Sequence, residues 1–558
     1  MNRNVESHFA LNPTRLDMSR SKFDRSFSLK TSFNVGDIVP FYVDEVLPGD
    51  TFNVKTSKVV RMQTLITPIM DNIYLDTYYF FVPNRLVWEH WKQFNGENTE
   101  SAWLPSTEYS IPQLTAPAGG WSVGTIADYM GIPTGVANLS VSALPFRAYA
   151  LICNEWFRDE NLCDPLVVPT GDATVAGSNT VASVEDYAKG ATPYKAAKYH
   201  DYFTSCLPAP QKGPDVGIGL TGNVPVVGNG KALGVSIGST IGGAYYNSEY
   251  YLSADTSLIG KNISSPYNSG GSLGATGILG VATADNLGSN LENSGLVADL
   301  GALNSVTINQ LRLAFQIQKL YEKDARGGTR YTEILKTHFG VTSPDSRLQR
   351  PEYLGGNRVP ININQVVQNS ATVEGETPLG NVAGYSVTSD THFDFRQSFT
   401  EHGFVIGVMV ARYDHTYQQG IERFWSRKTR FDYYWPVLAN IGEQAVLNKE
   451  IYAQGTVEDD EVFGYQEAWG DYRYKPNRVT GEMRSQYAQS LDVWHLGDDY
   501  TKLPSLSAEW IVEDKTNVDR VLAVTSTNAN QLFADLYINN QTTRPMPMYS
   551  IPGLVDHH

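Results

Sequence analysis

The chain has 558 residues, 41% hydrophobic and 11% aromatic, so it can bury a large core, and disorder is excluded for its bulk. Its 43 basic residues against 59 acidic ones give a net charge of -16, which excludes a polycation that coats nucleic acid and leaves only local patches to meet a polyanion. Three widely spaced cysteines without CxxC (Cys153, Cys163 and Cys206) argue against a disulfide framework or zinc site, and no export signal or membrane-spanning stretch is expected.

Residues 1–30 carry Arg3, Arg15, Arg20, Lys22, Arg25 and Lys30 against Glu6, Asp17 and Asp24, with Phe9, Phe23 and Phe27 between them. This is a basic arm on an acidic protein, read either as a solvated terminus or as an arm touching a polyanion. Residues 38–47 and 51–62 read as two strands joined into a hairpin by the turn Pro48-Gly49-Asp50, with Phe52 and Val54 on one face of the second. The run Ile73-Tyr74-Leu75-Asp76-Thr77-Tyr78-Tyr79-Phe80-Phe81-Val82-Pro83 predicts a buried strand that Pro83 ends. Asn84 is expected to cap one aromatic helix over 86–94, whose Trp88 and Trp91 need a partner surface at the barrel end or on another subunit. Residues 101–134 read as an ordered loop wrapped over a neighbour, 148–159 as a helix, and His200-Asp201 as a satisfied polar pair in a packed loop.

Residues 213–301 hold 19 of the 48 glycines and only Lys231 and Lys261 as basic residues. Such a stretch is too long for a plain loop and reads either as a linker or as a surface projection held by copies of itself. In the second reading, strand edges at 234–237 and 244–252 pair between chains, and Tyr245, Tyr246, Tyr250 and Tyr251 are the contact candidates. Residues 306–324 predict the clearest helix, with Asn309, Arg312, Gln316, Lys319 and Lys323 as one narrow polar stripe and the other sides buried. A second apolar run at 403–413 matches the first in weight. If the two share a sheet, everything between them is insertion, an architecture that leans toward a shell subunit.

Next comes Arg423-Phe424-Trp425-Ser426-Arg427-Lys428-Thr429-Arg430-Phe431, where basic and aromatic residues interleave. The pattern suits single-stranded nucleic acid, through phosphate contacts and base stacking, and equally suits packing between subunits. Strands are expected at 519–525 and 531–540, the latter alternating Leu532, Ala534, Leu536 and Ile538, before an extended arm at 544–549. As for chemistry, His392 and Asp394 with His402, His415 or His495 resemble an iron set, but His402 and His415 would sit at opposite ends of one strand. Glu458-Asp459-Asp460-Glu461 lacks the regular ligand loop of a calcium site, and HExxH, GxSxG and GxxxxGK[ST] are absent. No metal, cofactor or catalytic residue is therefore assigned.

Several phrases carry a wider resemblance. They include Asp44-Glu45-Val46-Leu47-Pro48-Gly49-Asp50-Thr51-Phe52, Val82-Pro83-Asn84-Arg85-Leu86-Val87-Trp88, Asn154-Glu155-Trp156-Phe157-Arg158-Asp159, His200-Asp201-Tyr202-Phe203 and Arg326-Gly327-Gly328-Thr329-Arg330-Tyr331. Tyr417-Gln418-Gln419-Gly420, Asn448-Lys449-Glu450-Ile451-Tyr452-Ala453-Gln454-Gly455 and Arg544-Pro545-Met546-Pro547-Met548-Tyr549 complete the set. Over nearly its whole length the chain resembles the major capsid proteins of gokushoviruses, single-stranded DNA phages of the microvirus group.

The resemblance implies a mainly β fold, a single eight-stranded viral jelly roll with large loop and helical insertions. It implies assembly in the bacterial host cytoplasm into a T=1 icosahedral shell of the virion around a circular single-stranded DNA genome. Other copies of the chain, an internal scaffolding protein, a DNA pilot protein, a small DNA-associated protein and a host receptor are the implied partners. The expected division is a basic arm at 1–30, a jelly-roll core at 31–83 and 403–558, inserted helices and loops at 84–212 and 302–402, and a threefold protrusion at 213–301. Arg3, Arg15, Arg20, Lys22, Arg25, Arg423, Arg427, Lys428 and Arg430 are the DNA-facing candidates. A non-viral jelly-roll binding module or a non-haem iron oxygenase would instead form monomers or small rings.

Overall fold

The computed structural model describes residues 19–97, 107–213, 226–228, 233–241, 244–252, 296–298, 308–328, 331–340, 349–370 and 379–549. Two antiparallel sheets face each other across one core. The strands are β1 (Ser21–Asp24), β2 (Phe27–Phe33), β3 (Val39–Val46), β4 (Thr51–Met62), β5 (Ile73–Pro83), β6 (Glu352–Gly355), β7 (Arg358–Pro360), β8 (Thr388–Ser398), β9 (Gly403–Tyr413) and β10 (Leu532–Arg544). The first sheet has the order β1-β10-β4-β8, with β2 also on β10; the second has the order β6-β5-β9-β3, with β7 also on β5. The two apolar runs pair along their full length, from Ile73 opposite Tyr413 to Pro83 opposite Gly403.

From β2 to β5 and again from β7 to β10 successive strands alternate between the sheets, and β4-β5 lies against β8-β9, which is a doubled-over, jelly-roll style of winding. The hairpin expected from Pro48-Gly49-Asp50 does not form: β3 pairs with β9 and β4 with β8 and β10. Gly49, at φ +92°, turns the chain from one sheet to the other. This crossing lets Phe41 of β3 and Phe52 and Val54 of β4 enter the same core from opposite walls.

Burial explains the patterns. β10 has one wet face, so its buried residues Leu532, Ala534, Leu536 and Ile538 alternate with exposed ones. β9 is covered on both faces and reads as a continuous apolar run. Its Val405, Met409 and Ala411 face the inter-sheet core, while Ile406, Val408 and Val410 join a second core with Trp88, Leu114, Trp121, Phe146 and Tyr149. The loop region expected to wrap a neighbour thus packs on its own barrel, because the outer face of β5 and β9 is too apolar to leave wet; residues 98–106 lie outside the described residues. Asp76 of β5 is buried on this outer side. Arg358 (2.7 Å), Arg412 (2.7 Å) and the Tyr199 hydroxyl (2.9 Å) converge on it, joining β5, β7 and β9. Burial opposes its charge, yet these donors hold the carboxyl below the ordinary aspartate value.

Four further expectations change. The aromatic helix is two short ones, Asn84–Val87 and Trp91–Phe94, broken at Trp88, whose extended backbone lets its fully buried ring enter the second core; Asn84 begins the first helix and does not cap it. Residues 519–525 form no strand: helix Lys515–Asp519 ends there, and the Asp519 carboxylate accepts from the Ser526 amide (2.7 Å) and hydroxyl (2.6 Å), closing a turn that overrides the local β preference. The core boundary drawn at 403 falls three strands late, since the short β6 and β7 pair with β5, and β8, polar on its open side, pairs throughout with β4. The arm drawn at 1–30 is already structured from Ser21, where β1 and β2 pair with β10; Arg3 and Arg15 lie outside the described residues.

Contacts divide the chain into residues 1–212 with 322–558, which hold both sheets, and residues 213–321. In the latter, Leu233–Ile241 and Ala244–Leu252 pair with each other along nine positions within the chain, which takes up one edge of each strand. Tyr245 and Tyr246 stand opposite Thr240 and Ser239, and Tyr250 and Tyr251 opposite Val235 and Gly234. The long helix spans Ile308–Gly327, and its apolar sides are not buried as expected: Leu311, Leu313, Phe315 and Leu320 are exposed.

Candidate interaction surface

The interleaved basic and aromatic segment sits on short turns. Arg423–Ser426, Arg430–Asp432 and Pro436–Leu438 are single 3-10 turns. The middle one is held by a capping box in which the Thr429 side chain bonds the Asp432 amide and the Asp432 carboxylate accepts from the Thr429 amide (2.6 Å). Asp432 also accepts from the Lys428 amide (2.8 Å), and these backbone donors hold its carboxyl below the ordinary aspartate value. The Trp435 indole donates to the Arg430 carbonyl (2.8 Å), locking the next turn onto the same frame.

The candidate cations separate into two groups. Arg423 donates to the Ala445 carbonyl (2.8 Å) and lies 3.4 Å from Glu450, whose carboxyl is raised by burial against the opposing pull of that guanidinium. Arg427 is nearly buried, ion-paired to Asp471, with its guanidinium over the rings of Tyr433 and Tyr472. Arg25 is bidentate on Asp44, both contacts being 2.7 Å. These three cations are engaged within the chain. Lys428 and Arg430 are exposed, Arg430 over Phe431, while Lys22 is exposed on β1 and Arg20 donates to the Gly49 carbonyl at the surface.

The sequence reading missed the acidic partners of these arginines and the extent of apolar surface beyond Phe431. Tyr433, Trp435, Val437 and Ile441 are all open to solvent. The consecutive Tyr433-Tyr434-Trp435 was the signal that could have revealed it. Beside this face lies a cavity of about 290 Å³ whose lining includes Tyr202, Tyr417, Phe424, Tyr474 and Arg478. Tyr202 and Tyr474 stack there with centroids 5.2 Å apart.

The histidines named as metal candidates are spread over separate environments, and among the described residues no three such ligands gather. His392 lies in β8 opposite Thr56, and Asp394 beside it accepts from the Thr56 hydroxyl (2.6 Å). His402 packs against Trp91, and His495 bonds the Met483 carbonyl (2.7 Å). His415, just past β9, is buried between Asp498 (2.9 Å) and Glu513 (3.0 Å). Burial alone would lower its pKa, but the two carboxylates outweigh it and push the value up to about 10. Asp498 is correspondingly held down to about 2, against its own burial, by His415, Lys198 and Tyr500. The cluster is an ionic clasp between the barrel and its C-terminal loops. Asp201 accepts from the Tyr417 hydroxyl (2.7 Å) and from the amides of Phe203 and Thr204, while the adjacent His200 is exposed; the expected polar pair is therefore Asp201 with Tyr417.

A surface with this much uncovered aromatic area on a two-sheet barrel fits a protein that works in contact with others. Residues 14–554 match the family described as capsid protein (F protein). The chain belongs to that family. Three curated relatives are each named capsid protein VP1. The one from Bdellovibrio phage phiMH2K is 44% identical over 558 residues, covering 99% of this chain and 98% of the relative. That of Chlamydia phage 1 is 44% identical with the same coverage, and that of Spiroplasma virus 4 is 44% identical over 96% of this chain and 95% of its own length. The capsid protein is thus a structural component of a phage virion that assembles with copies of itself, in agreement with the resemblance drawn from its phrases. No described helix of the capsid protein is long and apolar enough to cross a membrane.

Proposed function

We propose that this is the major subunit of a T=1 icosahedral shell around a circular single-stranded DNA genome, with no catalytic activity. The observation that carries the reading is the 44% identity to phage capsid proteins along almost the whole of both chains. Sedimentation and electron microscopy of the purified full-length protein and of particles test it; monomers or small rings alone, under every assembly condition, would sink it. An internal scaffolding protein, a DNA pilot protein and a small DNA-associated protein are the proposed partners in assembly.

The DNA-facing cations on this reading are Arg20, Lys22, Lys428 and Arg430, together with Arg3 and Arg15 outside the described residues. Arg25, Arg423 and Arg427 already have carboxylate partners and are proposed to shape the surface on which the others sit. Replacing Lys428 and Arg430 with glutamine should reduce DNA retention and flatten its salt dependence, with the log-log slope falling by roughly 0.7 per lost phosphate contact. Normal packaging by that variant would remove these two residues from the set. Residues 213–301 are proposed as a threefold, host-engaging projection, with Tyr245, Tyr246, Tyr250 and Tyr251 as its contact candidates. Their within-chain pairing leaves the outer hairpin edges for neighbouring copies.

A further inference from the structure

We infer that the aromatic face formed by residues 425–441 is the seat of a second copy of this chain and is not a stacking platform for DNA. The inference rests on the shell-forming reading above and adds to it a surface and an occupant. Val437 is 94% exposed, Trp425 72% and Phe431 62%, and Tyr433, Trp435 and Ile441 are each about half exposed. With aromatic side chains offering 150–250 Å² each, these six leave on the order of 800 Å² of largely apolar surface open. That equals the share of about 800 Å² that one partner brings to a standard protein interface.

The face is built in advance. The Thr429 and Asp432 capping box, the bond from the Trp435 indole to the Arg430 carbonyl, and Arg427 held on Asp471 fix it without a partner. A preordered surface loses little side-chain entropy on association.

Its chemistry favours protein over nucleic acid. A stacking platform pairs aromatic faces with free cations, but Arg423 and Arg427 are neutralised by Glu450 and Asp471, Arg427 already covers the rings of Tyr433 and Tyr472, and the exposed cations Lys428 and Arg430 stand only in the N-terminal part of the segment. The most exposed position, Val437, is aliphatic and gives a base nothing to stack on. The occupant is a second copy because the chain belongs to a capsid protein family and assembles with copies of itself, and Lys428 and Arg430, proposed above to face DNA, are left outside the contact.

The test uses the full-length protein and its particles. Val437→Asp places a charge where the isolated chain is wet, so its unfolding curve should match the parent, while burial of that unpaired charge at a contact should lower particle yield by at least about tenfold. In the parent, amide hydrogen exchange over 425–441 should slow on passing from free subunit to shell, equally in DNA-filled and DNA-free shells. Exchange that is unchanged on assembly overturns the inference, as does slowing confined to DNA-filled shells. A folded Val437→Asp protein that assembles normally also overturns it while leaving the shell reading intact. A parent that never forms particles refutes the shell reading itself.

Discussion

Replacing His415 with glutamine should remove the charge that binds the barrel to its C-terminal loops while keeping roughly the same volume. The parent imidazole bonds Asp498 and Glu513 at 2.9 and 3.0 Å, and all three side chains are buried. The separation between the ordinary histidine value of 6.5 and about 10 converts, at about 1.36 kcal/mol per pH unit, to an upper bound of about 5 kcal/mol. Removing one partner of a buried ion pair costs about 3–5 kcal/mol by independent reckoning, so the two agree. Because the folded-state value lies above the unfolded one, this stabilisation is complete below about pH 6.5 and is lost as pH rises through about 10. Asp498 has the opposite sign: its share is complete above about pH 4 and is lost as pH falls toward about 2. Urea unfolding of parent and His415→Gln proteins, near pH 6 and near pH 9.5, measures the difference. It should be about 3–5 kcal/mol at the lower pH and clearly smaller at the higher one. A difference that is the same at both values, or below about 1 kcal/mol near pH 6, would refute the charge argument.

Trp88→Ala should cost about 3–5 kcal/mol through the cavity left in the second core and should remove the 2.6 Å bond from the indole to the Asp172 carboxylate, which keeps His90; an unchanged melting temperature would contradict that placement. Gly356→Ala should yield mainly insoluble protein, because Gly356 has φ +139° and an added Cβ would run into the Thr77 carbonyl oxygen of β5; soluble expression at parent levels would count against the described register of the β6-β7 bend. Replacing residues 214–301 with a short linker should leave a subunit whose cooperative unfolding matches the parent, since both sheets lie outside that segment; loss of the folded barrel by circular dichroism would show that the segment is needed for folding.

Much of the barrel could be read from local signals. Ile73–Pro83 and Gly403–Tyr413 are β-branched and aromatic enough to be strands in any context, and the alternation of Leu532, Ala534, Leu536 and Ile538 reports one wet face. Partner choice was not local. Pro48-Gly49-Asp50 specifies a turn but not whether the two strands pair or part, and the common core decided that. Thr388–Ser398 lacks an apolar run because its inward side chains include Thr388 and Asp394, so it was missed as a core strand. The basic and aromatic segment was legible as a surface. The neutralisation of Arg423 and Arg427 was not, because their carboxylates stand 27 and 44 positions away.

The doubled-over winding has a consequence in time. Roughly 320 residues separate the end of β5 from the start of β9. At a synthesis rate of about 5–20 residues per second, β5 emerges some 15–60 s before the strand that pairs along its whole length. Segments made soon after cover its outer surface, where Phe80 and Val82 meet Trp88, Phe146 and Tyr149. The inter-sheet face, with Ile73, Leu75, Tyr79 and Phe81, has Phe41 and Phe52 from the earlier β3 and β4 but is closed only by β9 and finally by β10. The layer that looks like an attachment to the barrel is therefore, in order of synthesis, the surface on which the barrel is later completed.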